Sequence, residues 1–191
     1  MTELANKAMH ISLLATVVLF CSALTYGQRS GGPKQQGVYL SPSAFRELPA
    51  GVSADLKQRG CLIPQSGDNG KPNNVIRGEF ARPGQMDLAV LCSVRGVSSI
   101  LVYRKGENRA PASLATRADR NYLETDFQGR QIFVRAIQPV GQDFILEHYR
   151  AYGGPKPPAI DHQGIEDEFL EKASIVWYFE RGRWLKLTGA D

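Results

Sequence analysis

Val75-Ile76-Arg77-Gly78-Glu79-Phe80, Asp87-Leu88-Ala89-Val90-Leu91-Cys92-Ser93-Val94 and Ser99-Ile100-Leu101-Val102-Tyr103 are three apolar runs of strand length. Ala81-Arg82-Pro83-Gly84-Gln85-Met86 separates the first two and Arg95-Gly96-Val97-Ser98 the last two, so Pro and Gly stand where the chain must reverse. The spacing predicts three neighbouring antiparallel strands. The middle run is apolar on both faces, with Leu88, Val90 and Cys92 on one and Ala89, Leu91 and Val94 mostly on the other. That is the pattern of a central strand covered on both sides.

Upstream of this unit, Ser41 to Leu48 carries a helix start and is stopped by Pro49. Val52 to Arg59 places Val52 and Leu56 at helical spacing, with Ser53 as cap and Gly60 as terminator. Cys61 to Pro64 reads as extended, and Ser66 to Asn74 as a polar loop. Downstream, Arg104 to Ala118 is charged and small and reads mostly as loop, with a brief strand following Asp119. Gln131 to Ile137 is β-rich and is expected to end at Pro139. Gln142 to Tyr152 repeats Ile145, Tyr149 and Tyr152 at helical spacing before Gly153-Gly154-Pro155. A second helix is expected over Ile165 to Lys172, because Glu166, Asp167 and Glu168 fit the positive end of a helix dipole and Lys172 the negative end. Ala173 to Phe179 and Trp184 to Thr188 read as a hairpin. Together these elements predict one α+β domain over residues 38–191, a curved, mostly antiparallel sheet of five to seven strands with three or four short helices.

The 191 residues leave room for one domain with a sizeable core. The net charge of +4 does not point to nucleic acid, because Lys and Arg are scattered and no basic run alternates with aromatics. Ile11 to Ala23 is an unbroken apolar and small stretch behind a polar segment with Lys7 and His10. It has the length of a signal-peptide core and falls short of the roughly 20 residues that span a bilayer. Residues 1–27 are therefore expected to be a signal peptide cut before Gln28, with a cut after Ala23 as the second choice. A buried core helix or an uncleaved anchor is the alternative. Phe20 is too bulky for a lipoprotein signal, so Cys21 is read as part of the leader. Residues 28–37, rich in Gly, Gln and Ser, are expected to be a flexible lead-in. The mature chain is expected in the periplasm or outside the cell, with no stable membrane insertion.

Cys61 and Cys92 then remain, an even pair bound for an oxidising compartment, and a disulfide between them is expected. Two separate buried thiols, or a thiol nucleophile, are the alternatives. No Cys-x-x-Cys spacing supports metal or redox chemistry.

Gly78-Glu79-Phe80-Ala81-Arg82-Pro83-Gly84-Gln85-Met86-Asp87-Leu88-Ala89-Val90 resembles the FG-GAP repeat of integrin-type β-propellers, a strand, a calcium loop and a second strand. Calcium takes six to eight oxygens, supplied in that family at alternate loop positions. Here those positions are Glu79, Ala81, Pro83 and Asp87, and two of them offer no side-chain oxygen. The resemblance thus implies hairpin geometry, with Asp87 ordering the turn, and no second copy suggests a propeller. The chain also resembles uncharacterised exported bacterial proteins that share Gly-Cys-x-Ile-Pro-Gln, here Gly60 to Gln65, and Asp-His-Gln-Gly-Ile, here Asp161 to Ile165. That resemblance implies no activity.

His148, His162 and the carboxylates Asp161, Glu166, Asp167, Glu168 and Glu171 are the constellation that could do acid–base or metal work. The spacing His-x-x-x-Glu-Asp from His162 matches no zinc signature, and no metal is assigned. No Gly-x-Ser-x-Gly elbow, phosphate-cradling loop or dinucleotide fingerprint appears, so no cofactor is expected. Trp177, Tyr178, Phe179 and Trp184 could stack a sugar or a partner side chain, or simply fill the core. The expected function is non-catalytic binding of a protein or surface ligand. The competing class is a small periplasmic hydrolase or metal-dependent enzyme using His162 with Asp161 or Glu166, and possibly His148.

Overall fold

The computed structural model describes residues 38–67, 71–107 and 110–189. The expected leader with His10 and Cys21, and the expected lead-in, lie outside the described residues, as do positions 68–70 of the polar loop. The described residues fall in one compact unit, Gln35–Asp191.

Two consecutive antiparallel meanders make the body of the fold. The first sheet orders β3 (Val75–Gly78), β4 (Asp87–Val94), β5 (Val97–Tyr103) and β6 (Ala112–Ala118) side by side. In the second, β9 (Arg135–Val140), β10 (Gly164–Phe169), β11 (Ala173–Glu180) and β12 (Arg183–Thr188) are likewise in sequence order. Two short pairs, β1 (Tyr39–Leu40) with β2 (Ile63–Pro64) and β7 (Leu123–Thr125) with β8 (Gln131–Phe133), flank them. The α-helices are α1 (Ala50–Gln58) and α2 (Gln142–Tyr152), and three 3-10 turns add to them.

The alternation of side chains along each strand turns this list into layers. On one face of the first sheet Leu88, Val90, Cys92, Leu101 and Tyr103 pack against Val52 and Leu56 of α1. On its other face Ala89, Leu91, Ile100, Val102 and Leu114 meet Ile137, Ile165, Trp177 and Trp184 of the second sheet. The outer face of the second sheet buries Val140, Val176, Tyr178 and Leu187 under Ile145 of α2. The order is therefore helix, sheet, sheet, helix, each apolar face having a cover.

This arrangement corrects the expectation of one curved sheet of five to seven strands with three or four helices. Twelve strands in four sheets are present among the described residues, and two α-helices. The central strand β4 was expected to be covered on both sides, and it is buried from Asp87 to Ser93. Its second cover is a sheet rather than a helix, while Val94 joins the α1 side. Arg104 to Ala118, expected as loop, contains β6, because small Ala, Ser and Thr residues still pair along the edge of β5. Gln131 to Ile137 is broken at Val134 into β8 and β9. Pro139 does not end β9 but sits within it opposite Ile165, as an edge strand permits for a residue without an N–H. Ser41 to Leu48 makes only the 3-10 turn Pro42–Ala44, and α1 starts at Ala50 behind Pro49 rather than at Ser53.

The expected helix Ile165 to Lys172 is the largest single reversal, since it is strand β10. Successive acids there point to opposite faces of the sheet, and Asp167 points inward. Arg135, 0 % exposed, lies between the sheets and meets Asp167 through Nε to Oδ1 at 2.7 Å and Nη2 to Oδ2 at 3.0 Å. Its Nη1 donates to Ser98 Oγ at 2.9 Å and its Nη2 to the Ala115 carbonyl at 2.7 Å. That carbonyl is presented by a bulge: Ser98 pairs with Arg117 but Ile100 with Leu114, leaving β6 one residue in excess, with Ala115 at φ 53°. One guanidinium thus ties β5, β6, β9 and β10.

Beside it, buried Asn74 imitates a neighbouring strand, its amide donating to the Arg135 carbonyl at 3.2 Å and accepting from the Ile137 N–H at 2.9 Å. At the α1 end Cys61 and Cys92 form a disulfide-compatible pair, Cα atoms 5.4 Å apart. Leu62 and Ser93 exchange backbone hydrogen bonds of 2.9 and 2.8 Å next to them.

Replacing Asp167 with Ala strands a buried guanidinium, and the expected loss is about 3–5 kcal/mol, read as a lower urea midpoint at unchanged m-value. The double variant Arg135→Leu/Asp167→Leu should recover part of it, the Ala115 carbonyl still lacking its donor. An Asp167→Ala midpoint equal to that of the native chain would show that the pair does not hold the two sheets.

Candidate functional site

The residues expected to do acid–base work are not brought to one place. Asp161 is exposed, and the half-buried His162 sets Nδ1 2.9 Å from the Gln163 carbonyl. Asp167 is spent on Arg135 between the sheets. Glu171 is exposed in the turn after β10. Glu166, on the opposite face of β10, is 5 % exposed and accepts from Gln138 Nε2 at 2.6 Å.

The partner that the fold brings to Glu166 is His148 rather than His162. His148 lies on the inward face of α2, 5 % exposed, with the Tyr152 ring at 4.9 Å and the Phe144 ring at 6.2 Å. Its Nε2 is buried without a hydrogen-bond partner. Burial holds this imidazole below its ordinary pKa, against the opposing pull of the Glu166 charge and a bond to the Thr188 backbone. Glu168 is shifted upward by burial and by Glu166. His148 and Glu166 are buried under α2, and Glu168 is half-buried on the same face of β10. Among the described residues no three His, Cys, Asp or Glu are grouped to hold a metal. No helix among them is long and apolar enough to cross a membrane.

A surface groove forms elsewhere, where the loop after β3 meets the turn after β5. Its organiser is Asp87, 1 % exposed, at the start of β4. One carboxylate oxygen accepts from the Ala81 N–H at 2.9 Å; the other accepts from Gln85 Nε2 at 2.7 Å and from the Lys105 N–H at 2.8 Å. Asp87 therefore orders the turn, and it fixes a second one as well. Lys105 is held at φ 54°, a left-handed conformation that a residue with a Cβ adopts at some cost.

Around this anchor lie two adjoining hollows of about 440 and 580 Å3 that share Arg82, Gln85 and Lys105. Arg104 and Phe179 line the larger one, the guanidinium 4.5 Å over the ring centroid. Phe179 in turn packs edge-on against Trp184 at 5.5 Å. Of the aromatic group on the terminal hairpin, Tyr178 belongs to the core under α2 and both tryptophans pack between the sheets. Phe179 alone of the four lines the groove. Sequence reasoning singled out Asp87 and Phe179 but not Arg82, Arg104 or Lys105. Arg82 and the adjacent pair Arg104-Lys105 lie on two separate loops and carry no mutual signal until β4 and β5 pair.

The cluster under α2 makes a pH-dependent contribution to stability. A buried imidazole with a lowered pKa leaves the unfolded chain to take up the proton first. Its stabilisation is complete above the unfolded value of about 6.5 and is lost as pH falls through the lower folded value. Glu168 has the opposite sign, its contribution being present below the unfolded value of about 4.5 and lost as pH rises through the higher folded one. Urea midpoints should thus decline on acidification from neutral pH, His148→Gln should flatten or invert that decline, and Glu168→Gln should steepen it. An unchanged slope in His148→Gln would assign the pH dependence to other groups.

No protein-family model, no curated protein and no solved structure matches this chain.

Proposed function

We propose that this chain is an exported, disulfide-linked domain of the bacterial envelope that binds a ligand or partner through its connecting loops, without catalysis. The observation that carries the reading is the groove ordered by Asp87. Three cations are presented there on loops fixed from beneath by a buried carboxylate, beside the Phe179 ring of β11. Sites held this way have little ordering left to do when a ligand arrives. Export is supported by the apolar stretch Ile11 to Ala23 and by the disulfide-compatible placement of Cys61 and Cys92. The hydrolase alternative needs His162 to share a cleft with Asp161 or Glu166. The hydrogen bonds of His162 and Glu166 lead instead to Gln163 and to Gln138.

Two measurements test the reading. In the envelope fraction of an exporting host the intact mass should begin at Gln28 and be two hydrogens light until reduced. Reduction should then lower stability by about 3–4 kcal/mol for a loop of this length. A full-length cytoplasmic chain with alkylatable thiols at Cys61 and Cys92 would overturn export. Saturable hydrolysis of a model ester, abolished by His162→Ala, would overturn the non-catalytic assignment.

A further inference from the structure

We propose that the groove lined by Arg82, Arg104, Lys105 and Phe179 binds a compact ligand carrying two or more oxyanion groups, phosphate or carboxylate. The inference rests on the binding-domain reading and names the chemistry of its ligand.

Charge complementarity is the first argument. Arg82 and Lys105 line both hollows, and Arg104 borders the larger. The carboxylates nearby are Asp87 and Glu107. Asp87 is turned inward and saturated by the Ala81, Gln85 and Lys105 donors. Glu107 lines the larger hollow and is itself engaged. Three cations against two carboxylates leave a positive excess directed outward.

Preorganisation is the second. The Lys105 backbone is locked in a left-handed conformation by Asp87, and the Arg104 guanidinium is steadied over the Phe179 ring. Its edge remains available for the bidentate bonds that guanidinium makes to phosphate and carboxylate. Val102 and Ala112 form an apolar wall that lowers the local dielectric and strengthens those bonds.

The valence of the ligand follows from the groove being open. A single exposed ion pair is worth about 0–1 kcal/mol, so one oxyanion would be held weakly and several together would be selected. Single-stranded nucleic acid is disfavoured because it needs free aromatic platforms. Here Arg104 occupies a face of Phe179, and Trp177 and Trp184 pack between the sheets.

The test is a titration of the full oxidised chain with inorganic pyrophosphate and, separately, citrate at constant ionic strength. It is followed by phosphorus NMR for pyrophosphate and by the fluorescence of the two tryptophans, Trp177 and Trp184. Saturable binding is expected, weakened about tenfold in Arg82→Gln/Lys105→Gln and about two- to fivefold in Arg104→Gln. It should be unchanged in Lys57→Gln, which removes a cation from α1 on the far side of the first sheet. These are surface positions, and an unaltered melting temperature shows that each variant is folded. Tighter pyrophosphate binding assigns a phosphate ligand, and tighter citrate binding a polycarboxylate. Absence of saturation with both anions, or equal weakening in Lys57→Gln, overturns the site while leaving the binding-domain reading standing. Conversion of bound pyrophosphate to orthophosphate keeps the anion site and overturns the non-catalytic reading.

Discussion

The Arg135–Asp167 pair imposes a geometric condition on both large sheets. Removing a guanidinium and a carboxylate from water costs several kcal/mol per ion, and that cost is offset only if nearly every donor finds an acceptor. Arg135 meets the condition with Asp167 on the neighbouring strand, and with Ser98 and Ala115 across the sandwich. Tyr122 adds its ring face at 5.1 Å. A sliding of one sheet over the other by a residue would leave the charge without the Ala115 carbonyl. The bulge in β6 exists in the same spirit, since a regular ladder would have turned that carbonyl toward β5. An apolar core of the same volume would bury these sheets as well, but it would accept several relative placements. The ion pair accepts one.

The same logic recurs with smaller stakes at two further buried carboxylates. Asp87 joins the loop after β3 to the turn after β5. Asp119 lies at the end of β6 and accepts from the Tyr39 hydroxyl at 3.1 Å and from Ser93 Oγ, linking β1 to β4. Its second oxygen is buried without a partner. Burial and this neighbouring charge together push the Tyr39 hydroxyl pKa upward. In each case the side chain replaces backbone pairing at a point where a strand ends and its neighbours do not meet. Asn74 does this with an uncharged amide on the outer edge of β9.

These side-chain ties explain which parts of the fold could be read in advance. α2 and the terminal hairpin were legible because their apolar residues recur with the period of the element they form, and β4 because it is a short apolar run bounded by turn residues. β10 was not, because Glu166, Asp167 and Glu168 look like the first turn of a helix to any reading confined to neighbours. Their strand conformation is decided by Arg135, 32 residues away from Asp167, and by Gln138, 28 away from Glu166. β6 was missed for a related reason: its small residues have weak preference of their own and take their conformation from β5. The two-sheet architecture followed the same course. An apolar strand covered on both faces says that a second layer exists, not whether that layer is helix or sheet.

The candidate site was less legible than the fold, and charge accounting shows why. Two of the five carboxylates that sequence reading set aside for chemistry are committed inside the structure, Asp167 to a guanidinium and Glu166 to an amide under α2, and Asp87 is spent on the Ala81 and Lys105 N–H groups and the Gln85 amide. Several surface acids are also engaged, Asp55 with Arg59 and Asp126 with Arg130. A modest net charge of +4 spread evenly along the sequence is therefore not spread evenly over the folded surface. Cations stand out where folding has drawn the nearby acid inward, and the groove over Asp87 is such a place. The buried carboxylate that orders the two loops is turned away from solvent, so Arg82, Arg104 and Lys105 face outward without it.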